Sequence, residues 1–196
     1  PDEGAFDRMA DILTGGDRHA AEFRAADFRE AYAASRSEYD RGALSAHEYW
    51  RLVGQALGRA PSAAETEELR TLDVEAWFRF DPAMVEWFSA IRSSVRHLAL
   101  LSNINDDGVD ALRRMAPWLG TFDTLVLSCE HKVVKPGAAI FGILVDRLDV
   151  EPGECLFVDD IEANVEGARA AGLSAHRYGG LDGLRAELGE RYRLVR

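Results

Sequence analysis

The chain contains the stretch Cys155-Leu-Phe-Val-Asp159-Asp160-Ile-Glu-Ala-Asn164-Val-Glu-Gly-Ala-Arg-Ala-Ala-Gly172, in which a short apolar strand ends in two adjacent carboxylates and a helix follows at once. Adjacent carboxylates repel each other and lose hydration when they are partly buried, so a cation or a basic side chain usually compensates them. The carboxyl end of a strand is also where parallel α/β sheets bind ligands. In the alternative interpretation, Asp159 only ends the strand and Asp160 caps the helix.

Short apolar runs alternate with helical stretches through the second half of the chain. The runs are Leu98–Leu101, Thr124–Leu127, Cys155–Val158 and Ser174–Tyr178, and the helical stretches begin near Gly108, Gly137, Ile161 and Asp182. Strands that alternate with helices of this length predict βαβ units and a parallel sheet covered by helices on both faces. The predicted fold class is therefore α/β.

The first 80 residues have a different pattern, which predicts helices only. Phe23, Phe28 and Tyr32 recur at helical spacing, and we expect them in a core rather than in contact with a ligand. Helix starts are predicted by the capping-box patterns Ser45-Ala-His-Glu48 and Ser62-Ala-Ala-Glu65, and by Asp81-Pro82. The change of pattern places a domain boundary near residue 80, with no flexible linker.

Charge and composition exclude several classes of partner. The net charge of −11 argues against nucleic acid or an anionic membrane. No apolar run approaches the roughly 20 residues that span a bilayer, and Pro1-Asp-Glu-Gly does not resemble a signal peptide. Because Cys129 and Cys155 are single and widely spaced, we expect a cytoplasmic protein without disulfides. Assembly into a homo-oligomer stays open.

Two further groups lie near strand ends. Ser102-Asn103 follows the first strand and offers hydrogen-bond donors to an oxyanion, although both residue types also favour plain turns. The segment Lys132-Val-Val-Lys135-Pro136-Gly137 holds both lysines of the chain, which otherwise uses arginine. The compact ammonium group of lysine suits a narrow site beside a carboxylate and a phosphate. In the alternative interpretation, the two lysines are solvent-exposed and precede a helix that Pro136 opens.

Parallel topology predicts that these groups meet at one edge of the sheet. Ser102 ends one strand, Lys135 follows the next, and Asp159-Asp160 ends the third. A cation site, a positive side chain and a hydrogen-bond donor around one point suit metal-assisted phosphoryl transfer.

The same motifs resemble those of a known family. Ser102-Asn103, Lys135-Pro136 and Val158-Asp159-Asp160, the last with Asn164-Val165 and Gly167-Ala168, resemble the second, third and fourth motifs of the haloacid dehalogenase-like (HAD) hydrolases. Gly42–Trp50 is similar to the cap helix entry of subfamily IA. The resemblance implies a helical C1-type cap at residues 1–80 and a Rossmann-like core at 81–196.

The resemblance also implies roles for the site residues. Ser102, Asn103 and Lys135 would bind the phosphoryl group of a small phosphorylated metabolite, with Ser102 and Lys135 acting in catalysis. Asp159 and Asp160 would bind Mg²⁺ as the cofactor. In the family, an aspartate at the end of the first core strand attacks phosphorus and forms an aspartyl-phosphate, which water then hydrolyses.

That first strand is missing from this sequence, because no apolar strand precedes Asp2, Asp7 or Asp11. Since the strand is central to the family's sheet, its loss should unpair backbone groups on both neighbouring strands and open the core. Three explanations compete: the sequence lacks a short N-terminal segment of the natural protein, the strand is lost in a non-catalytic relative, or another chain or position supplies it. We expect the chain as given to be inactive or nearly so.

Rival functions differ in their motifs. In a response-regulator receiver the acidic pair comes early in the sequence. Here Asp159 follows Ser102 and Lys135, and this order disfavours a receiver. A haloacid dehalogenase of the same fold usually lacks the double acidic site because it needs no cation. A non-catalytic protein that binds a phosphorylated ligand or a protein partner stays open. The predicted function of the complete protein is therefore a Mg²⁺-dependent phosphatase.

Substrate choice in this family depends on cap side chains that face the site. The polar and aromatic candidates are His19, Arg24, Arg36, Tyr39 and Trp50, although surface or core roles are expected for each.

Overall fold

The computed structural model describes residues 2–15 and 21–192, with the side chains of residues 21–25 and 190–192 left out of the description. Contacts divide the chain into two compact units. The helical unit contains the residues up to Arg79 together with Ile104–Met115. The sheet unit contains Phe80–Asn103 and the residues from Ala116 onward.

Helices dominate the described residues. They are α1 (Glu3–Thr14), α2 (Ala21–Ala34), α3 (Arg36–Asp40), α4 (Ala46–Ala56), α5 (Ala63–Trp77), α6 (Pro82–Ile91), α7 (Asp106–Met115), α8 (Ser128–His131), α9 (Ala138–Leu148), α10 (Glu162–Ala170) and α11 (Leu181–Tyr192). Short 3₁₀ turns occupy Arg92–Ser94, Pro117–Thr121 and Pro152–Glu154. The strands are β1 (Ala99–Ser102), β2 (Thr124–Leu127), β3 (Leu156–Asp159) and β4 (Ser174–Arg177). None of the described helices is both long and apolar enough to cross a membrane.

The predicted helix starts are confirmed. Ser45 and Ser62 are the N-caps of α4 and α5, and each forms a complete capping box with the glutamate three residues later. The Asp81 side chain accepts a hydrogen bond from the Ala83 N–H and caps α6. These side chains satisfy backbone donors that have no partner within the helix, which fixes where each helix begins.

The core of the helical unit is rich in aromatic side chains. Phe28 and Tyr32 are buried, as the sequence predicts, and Tyr49 and Trp50 are fully buried beside them. Phe23 lies outside the residues whose side chains are described. Tilted and edge-to-face ring contacts at 4.9–6.0 Å join Tyr32 to Phe6, Phe28, Tyr49 and Trp50. Such pairs stabilise a core beyond the area that they bury.

Helix α7 belongs to the helical unit although its flanking residues belong to the sheet unit. Its Asp107 carboxylate accepts hydrogen bonds from Tyr39 Oη at 3.0 Å and from Arg70 Nε and Nη2 at 2.8 and 2.6 Å. Although burial opposes ionisation, the hydrogen bonds from Arg70 and Tyr39 hold the pKa of Asp107 below its ordinary 3.8. This grouping differs from the division at residue 80, which placed residues 104–115 in the core.

The strands of the sheet unit form two parallel pairs, and the α/β fold class is confirmed. Strand β1 pairs with β2 from Ala99↔Thr124 to Ser102↔Leu127, and β3 pairs with β4 from Leu156↔Ser174 to Asp159↔Arg177. Among the described residues, no strand joins β1 to β3. This is the gap that the missing central strand predicts.

A cavity of about 880 Å³ lies where β1 and β3 would otherwise be bridged. Its walls come from both strands and from apolar side chains of α6, α9 and α11, including Phe88, Leu144 and Leu184. The core of the sheet unit is therefore open between its two strand pairs.

Candidate functional site

The loop after β1 is fastened to the loop that carries Lys135. The Asn103 Oδ1 accepts a hydrogen bond from the Lys135 N–H at 2.8 Å, and the Asn103 Nδ2 donates to the Lys135 carbonyl at 2.9 Å. The half-buried Ser102 next to it makes a long hydrogen bond of 3.4 Å from Oγ to the Asn103 carbonyl. Asn103 therefore positions Lys135 in this structure, and its predicted contact with substrate stays a prediction.

The Lys135 ammonium reaches the end of β3. Its Nζ lies 2.6 Å from Asp159 Oδ2 and donates a second hydrogen bond of 3.2 Å to the Leu101 carbonyl. The Phe157 ring lies beneath it, with 5.4 Å between Nζ and the ring centroid. The two side chains are 10% and 6% exposed, so this ion pair is poorly screened by water.

The second oxygen of Asp159 is held by the start of α10. Asp159 Oδ1 accepts from the Ile161 N–H at 2.9 Å and from Asn164 Nδ2 at 3.0 Å. Asn164 is buried and was not among the predicted site residues. The sequence feature that could have identified Asn164 is its position five residues after Asp159, in the first turn of α10. Asp160 is exposed beside this network.

Helix α10 also packs closely against the Lys135 loop. A Cβ atom at Gly167 would come within 2.5 Å of the Pro136 carbonyl oxygen, so only glycine allows this approach. The peptide bond between Lys135 and Pro136 is cis. The expectation that Pro136 opens the following helix is wrong, because Gly137 is the N-cap and α9 begins at Ala138.

Hydrogen bonds thus join Asn103, Lys135 and Asp159 into one network at the carboxyl ends of β1 and β3, and Ser102 and Asp160 are the chain neighbours of two of its members. Lys132 is exposed and has a left-handed backbone conformation, with φ of 60°. Lys135 is the lysine that forms an ion pair with Asp159.

A family model for haloacid dehalogenase-like hydrolases matches residues 9–172. The chain belongs to the haloacid dehalogenase-like hydrolases.

The relatives of this chain include both dehalogenases and phosphatases. (S)-2-haloacid dehalogenase 1 of Pseudomonas sp. (strain CBS-3) is 27% identical over 66% of the chain and 60% of its own length. D-ribitol-5-phosphate phosphatase of Bacteroides thetaiotaomicron is 29% identical over 69% of the chain and 67% of its own length. The chain thus spans less than two thirds of the length of the dehalogenase.

The fold is shared with a HAD family enzyme of Bacteroides thetaiotaomicron that was crystallised with magnesium and inorganic phosphate. The TM-score is 0.68 at 19% identity, and the match covers 92% of this chain and 89% of the other chain. The likeness shows a common fold. The magnesium and the phosphate belong to the crystal of that enzyme.

The candidate site offers two adjacent carboxylates to a Mg²⁺ ion. Magnesium is bound in proteins through one or two carboxylates and keeps several water molecules. Asp159 and the exposed Asp160 supply two adjacent carboxylates, although Asp159 already accepts three hydrogen bonds. No group of three or more His, Cys, Asp or Glu side chains suited to a metal ion occurs in the described part of the chain. The remaining ligands would therefore be water or substrate.

The candidates for substrate choice in the helical unit have structural roles there. Arg36 pairs with Asp73 at 2.9 Å and with Asp40 at 2.9 Å, and Trp50 is fully buried. Burial and the neighbouring Asp107 carboxylate raise the pKa of Tyr39 far above its ordinary value. His19 and the Arg24 side chain lie outside the described residues. Tyr39 and Trp50 are both buried, in agreement with the expectation of surface or core roles.

Proposed function

We propose that the complete protein is a Mg²⁺-dependent phosphatase that hydrolyses a small phosphorylated metabolite in the cytoplasm. The observation that carries the proposal is the 2.6 Å contact of Lys135 Nζ with Asp159 Oδ2, beside the exposed carboxylate of Asp160. One side of this cluster offers carboxylates to a cation, and the other offers an ammonium and the Ser102 hydroxyl to phosphate oxygens. This combination suits charge stabilisation during phosphoryl transfer.

Each residue has a definable part in this proposal. Asp159 and Asp160 hold the ion, which would neutralise charge on the phosphoryl group. Ser102 donates a hydrogen bond to a phosphoryl oxygen, and Lys135 attracts the same group through its ammonium. Asn103 and Asn164 position Lys135 and Asp159 through the hydrogen bonds described above.

The nucleophile of the proposed reaction is an aspartate on a strand between β1 and β3, which forms the aspartyl-phosphate intermediate. The described residues do not supply this strand. The chain of 196 residues should therefore bind Mg²⁺ but show no turnover of p-nitrophenyl phosphate that depends on Asp160. Turnover that is lost in Asp160→Asn would contradict the expected inactivity.

Magnesium binding can be measured without turnover. We expect millimolar MgCl₂ to raise the melting temperature of the wild-type chain, because a ligand that binds only the folded state stabilises it. Asp160→Asn should lose this response. Glu166→Gln is the matched control, because Glu166 is also acidic and exposed but lies one turn further along α10. An equal response in all three proteins would refute the metal site.

The reaction class is tested by fusing an apolar strand that ends in Asp-x-Asp to the N-terminus. We expect Mg²⁺-dependent release of phosphate from phosphomonoesters by this fusion protein. The second candidate is a haloacid dehalogenase, which the similarity to the Pseudomonas enzyme favours. Chloride release from (S)-2-chloropropionate without Mg²⁺ would support it. A folded fusion protein that binds phosphate but turns over neither substrate would support a non-catalytic role.

A further inference from the structure

Two residues, Ile104 and Asn105, join Asn103 of the candidate site to helix α7. Asn103 belongs to the sheet unit, where its side chain makes both hydrogen bonds to the backbone of Lys135. Ile104, Asn105 and α7 belong to the helical unit. Two consecutive residues extend a chain by at most about 7 Å, and each has only two soft backbone dihedrals. The loop that carries Ser102 is therefore short and is held at both of its ends.

The chain enters α7 through a tightly packed turn. The Asn105 Oδ1 accepts a hydrogen bond from the Gly108 N–H at 2.8 Å, and the Asn105 carbonyl accepts from the Val109 N–H at 3.0 Å. Asn105 is buried, and so is Ile104. A Cβ atom at Gly108 would come within 2.6 Å of Ile104 Cγ1, so the Ile104 side chain lies directly against the helix. This capped and packed turn leaves little freedom between Asn103 and α7.

Asn105 is also bound to a buried ion cluster of the helical unit. Asp40 accepts a hydrogen bond from the Asn105 side chain and pairs with Arg36 Nε at 2.9 Å. The Arg36 guanidinium also pairs with the buried Asp73 at 2.9 Å. Breaking up such a cluster leaves a buried charge without its partner, which is strongly destabilising. Asn105 therefore has a fixed position within the helical unit.

A second fixed point of α7 is Asp107 in its first turn. The guanidinium of Arg70 donates to both carboxylate oxygens of Asp107, and Tyr39 Oη donates a third hydrogen bond. Arg70 is oriented by Glu67 through bonds of 2.8 and 2.9 Å, and the Tyr39 ring stacks on Tyr49 with 4.4 Å between centroids. A bidentate contact of this kind fixes direction as well as distance. Asp107 thus ties α7 firmly to α3 and α5.

We propose that Asp107 is a positioning residue of the candidate site, which acts on Lys135 through Asn103. A displacement of the first turn of α7 has to appear at Asn103, because the intervening chain is too short and too closely packed to absorb it. The two hydrogen bonds of Asn103 then carry the displacement to the lysine loop. Misplacing a catalytic group by about 1 Å can slow a reaction on the order of a hundredfold. The effect on catalysis rests on the proposed function, whereas the coupling of positions does not.

The test is amide hydrogen exchange of the 196-residue protein, measured by NMR at the Lys135 N–H, which donates to Asn103. Asp107→Ala removes all three hydrogen bonds to the carboxylate. The matched control is Asp110→Ala, since Asp110 is an exposed aspartate of the same helix. We expect exchange at Lys135 to be about tenfold or more faster in Asp107→Ala than in the control, because the loop opens more often. The side-chain amide resonances of Asn103 should shift only in Asp107→Ala.

Two reference amides separate positioning from a general loss of stability. The Tyr178 N–H donates to the Asp159 carbonyl, and the Asp123 N–H donates to the Leu98 carbonyl, all within the sheet unit. Exchange at both reference amides should be unchanged in Asp107→Ala. A general loss of stability would instead accelerate the lysine amide and both reference amides together.

Substitutions on α5 test the same coupling from the other partner. Arg70→Gln removes the charge that binds Asp107, whereas Arg70→Lys keeps a charge but loses the planar two-pronged contact. Exchange at the lysine amide should therefore be fastest in Arg70→Gln and intermediate in Arg70→Lys. The control is Arg8→Gln, because Arg8 forms an exposed ion pair of 2.6 Å with Glu75 of the same helix. If circular dichroism shows that Asp107→Ala does not fold, this series decides the question.

Two results would overturn the inference. Equal exchange at Lys135 in Asp107→Ala and Asp110→Ala, or in the arginine variants and their control, would show that α7 does not position the lysine loop. Equal acceleration at Lys135, Tyr178 and Asp123 would show that these bonds only stabilise the fold. Because the exchange measurement needs no substrate, a fusion protein without turnover would contradict the proposed function and not this inference.

Discussion

Asn103 and Lys135 exchange two hydrogen bonds across the site, one in each direction between the side-chain amide and the lysine backbone. An amide is suited to this contact because it offers a donor and an acceptor on one planar group. The pair joins the loop after β1 to the loop before α9. Neither bond uses the lysine side chain, so the ammonium is left to bind Asp159.

Asn103→Ala is expected to destabilise the protein by about 1–3 kcal/mol, because it leaves two part-buried backbone groups of Lys135 without partners. The measurement is urea denaturation followed by tryptophan fluorescence. Asn103→Asp keeps the acceptor but loses the donor, so it should also be destabilising. If Asn103→Ala is as stable as wild type, Asn103 does not position the lysine loop.

Lys135→Met is expected to cost about 3–5 kcal/mol, because it leaves the Asp159 carboxylate buried without its cation. Adding Asp159→Asn should recover part of this loss, and the double-mutant cycle measures the coupling. The matched control is Lys132→Met, since Lys132 is an exposed lysine of the same loop. Equal losses at the two lysines would contradict the assignment of a buried ion pair to Lys135.

Gly167→Ala is expected to destabilise the sheet unit by about 1–3 kcal/mol, because the new methyl group overlaps the Pro136 carbonyl. Gly142→Ala is the control: it is also a helical glycine, but nothing lies within 4 Å of its added Cβ, so alanine should stabilise α9 by roughly 0.5–1 kcal/mol. Thermal unfolding of both variants should therefore shift in opposite directions. A shift in the same direction would remove the argument for close packing at Gly167.

The capping box of α5 predicts a pH dependence. The Ser62 N–H, the Ser62 hydroxyl and the Arg59 guanidinium lower the pKa of Glu65 from 4.5 to about 2. Since the folded-state pKa is depressed, the stabilisation is complete above about pH 4.5 and is lost as the pH falls toward 2. Wild type should therefore exceed Glu65→Gln in stability at pH 6, and the difference should disappear near pH 2. A difference that does not change with pH would contradict this account.

The sequence predicts local structure well where a side chain acts on its own backbone. Ser45, Ser62 and Asp81 each mark a helix start through a short-range hydrogen bond, and all three predictions are confirmed. The strand at Thr124–Leu127 is also predicted with its observed bounds, and the other strands shift by about a residue at their ends. Apolar runs and caps are properties of adjacent residues, so one sequence is enough to identify them.

Contacts between distant residues were harder to predict. The sequence motif that contains Asn164 does not predict its role, because its hydrogen bond to Asp159 depends on how the first turn of α10 meets β3. The prediction that Pro136 opens the helix is wrong because Gly137 is the N-cap of α9, and the contact of Pro136 with Gly167 joins residues thirty-one positions apart, which no local pattern reveals. The short helix α8 went unpredicted, since four residues carry too little periodicity.

The position of helix α7 in the sequence determines how the helical unit could be expressed on its own. The chain leaves the helical unit after Arg79, returns to it at Ile104, and leaves it again after Met115. A gene fragment that stops at residue 79 would therefore omit the carboxylate that Arg70 and Tyr39 bind. The helical unit is discontinuous in sequence, so producing it alone would require a redesigned connectivity that joins α7 directly to α5.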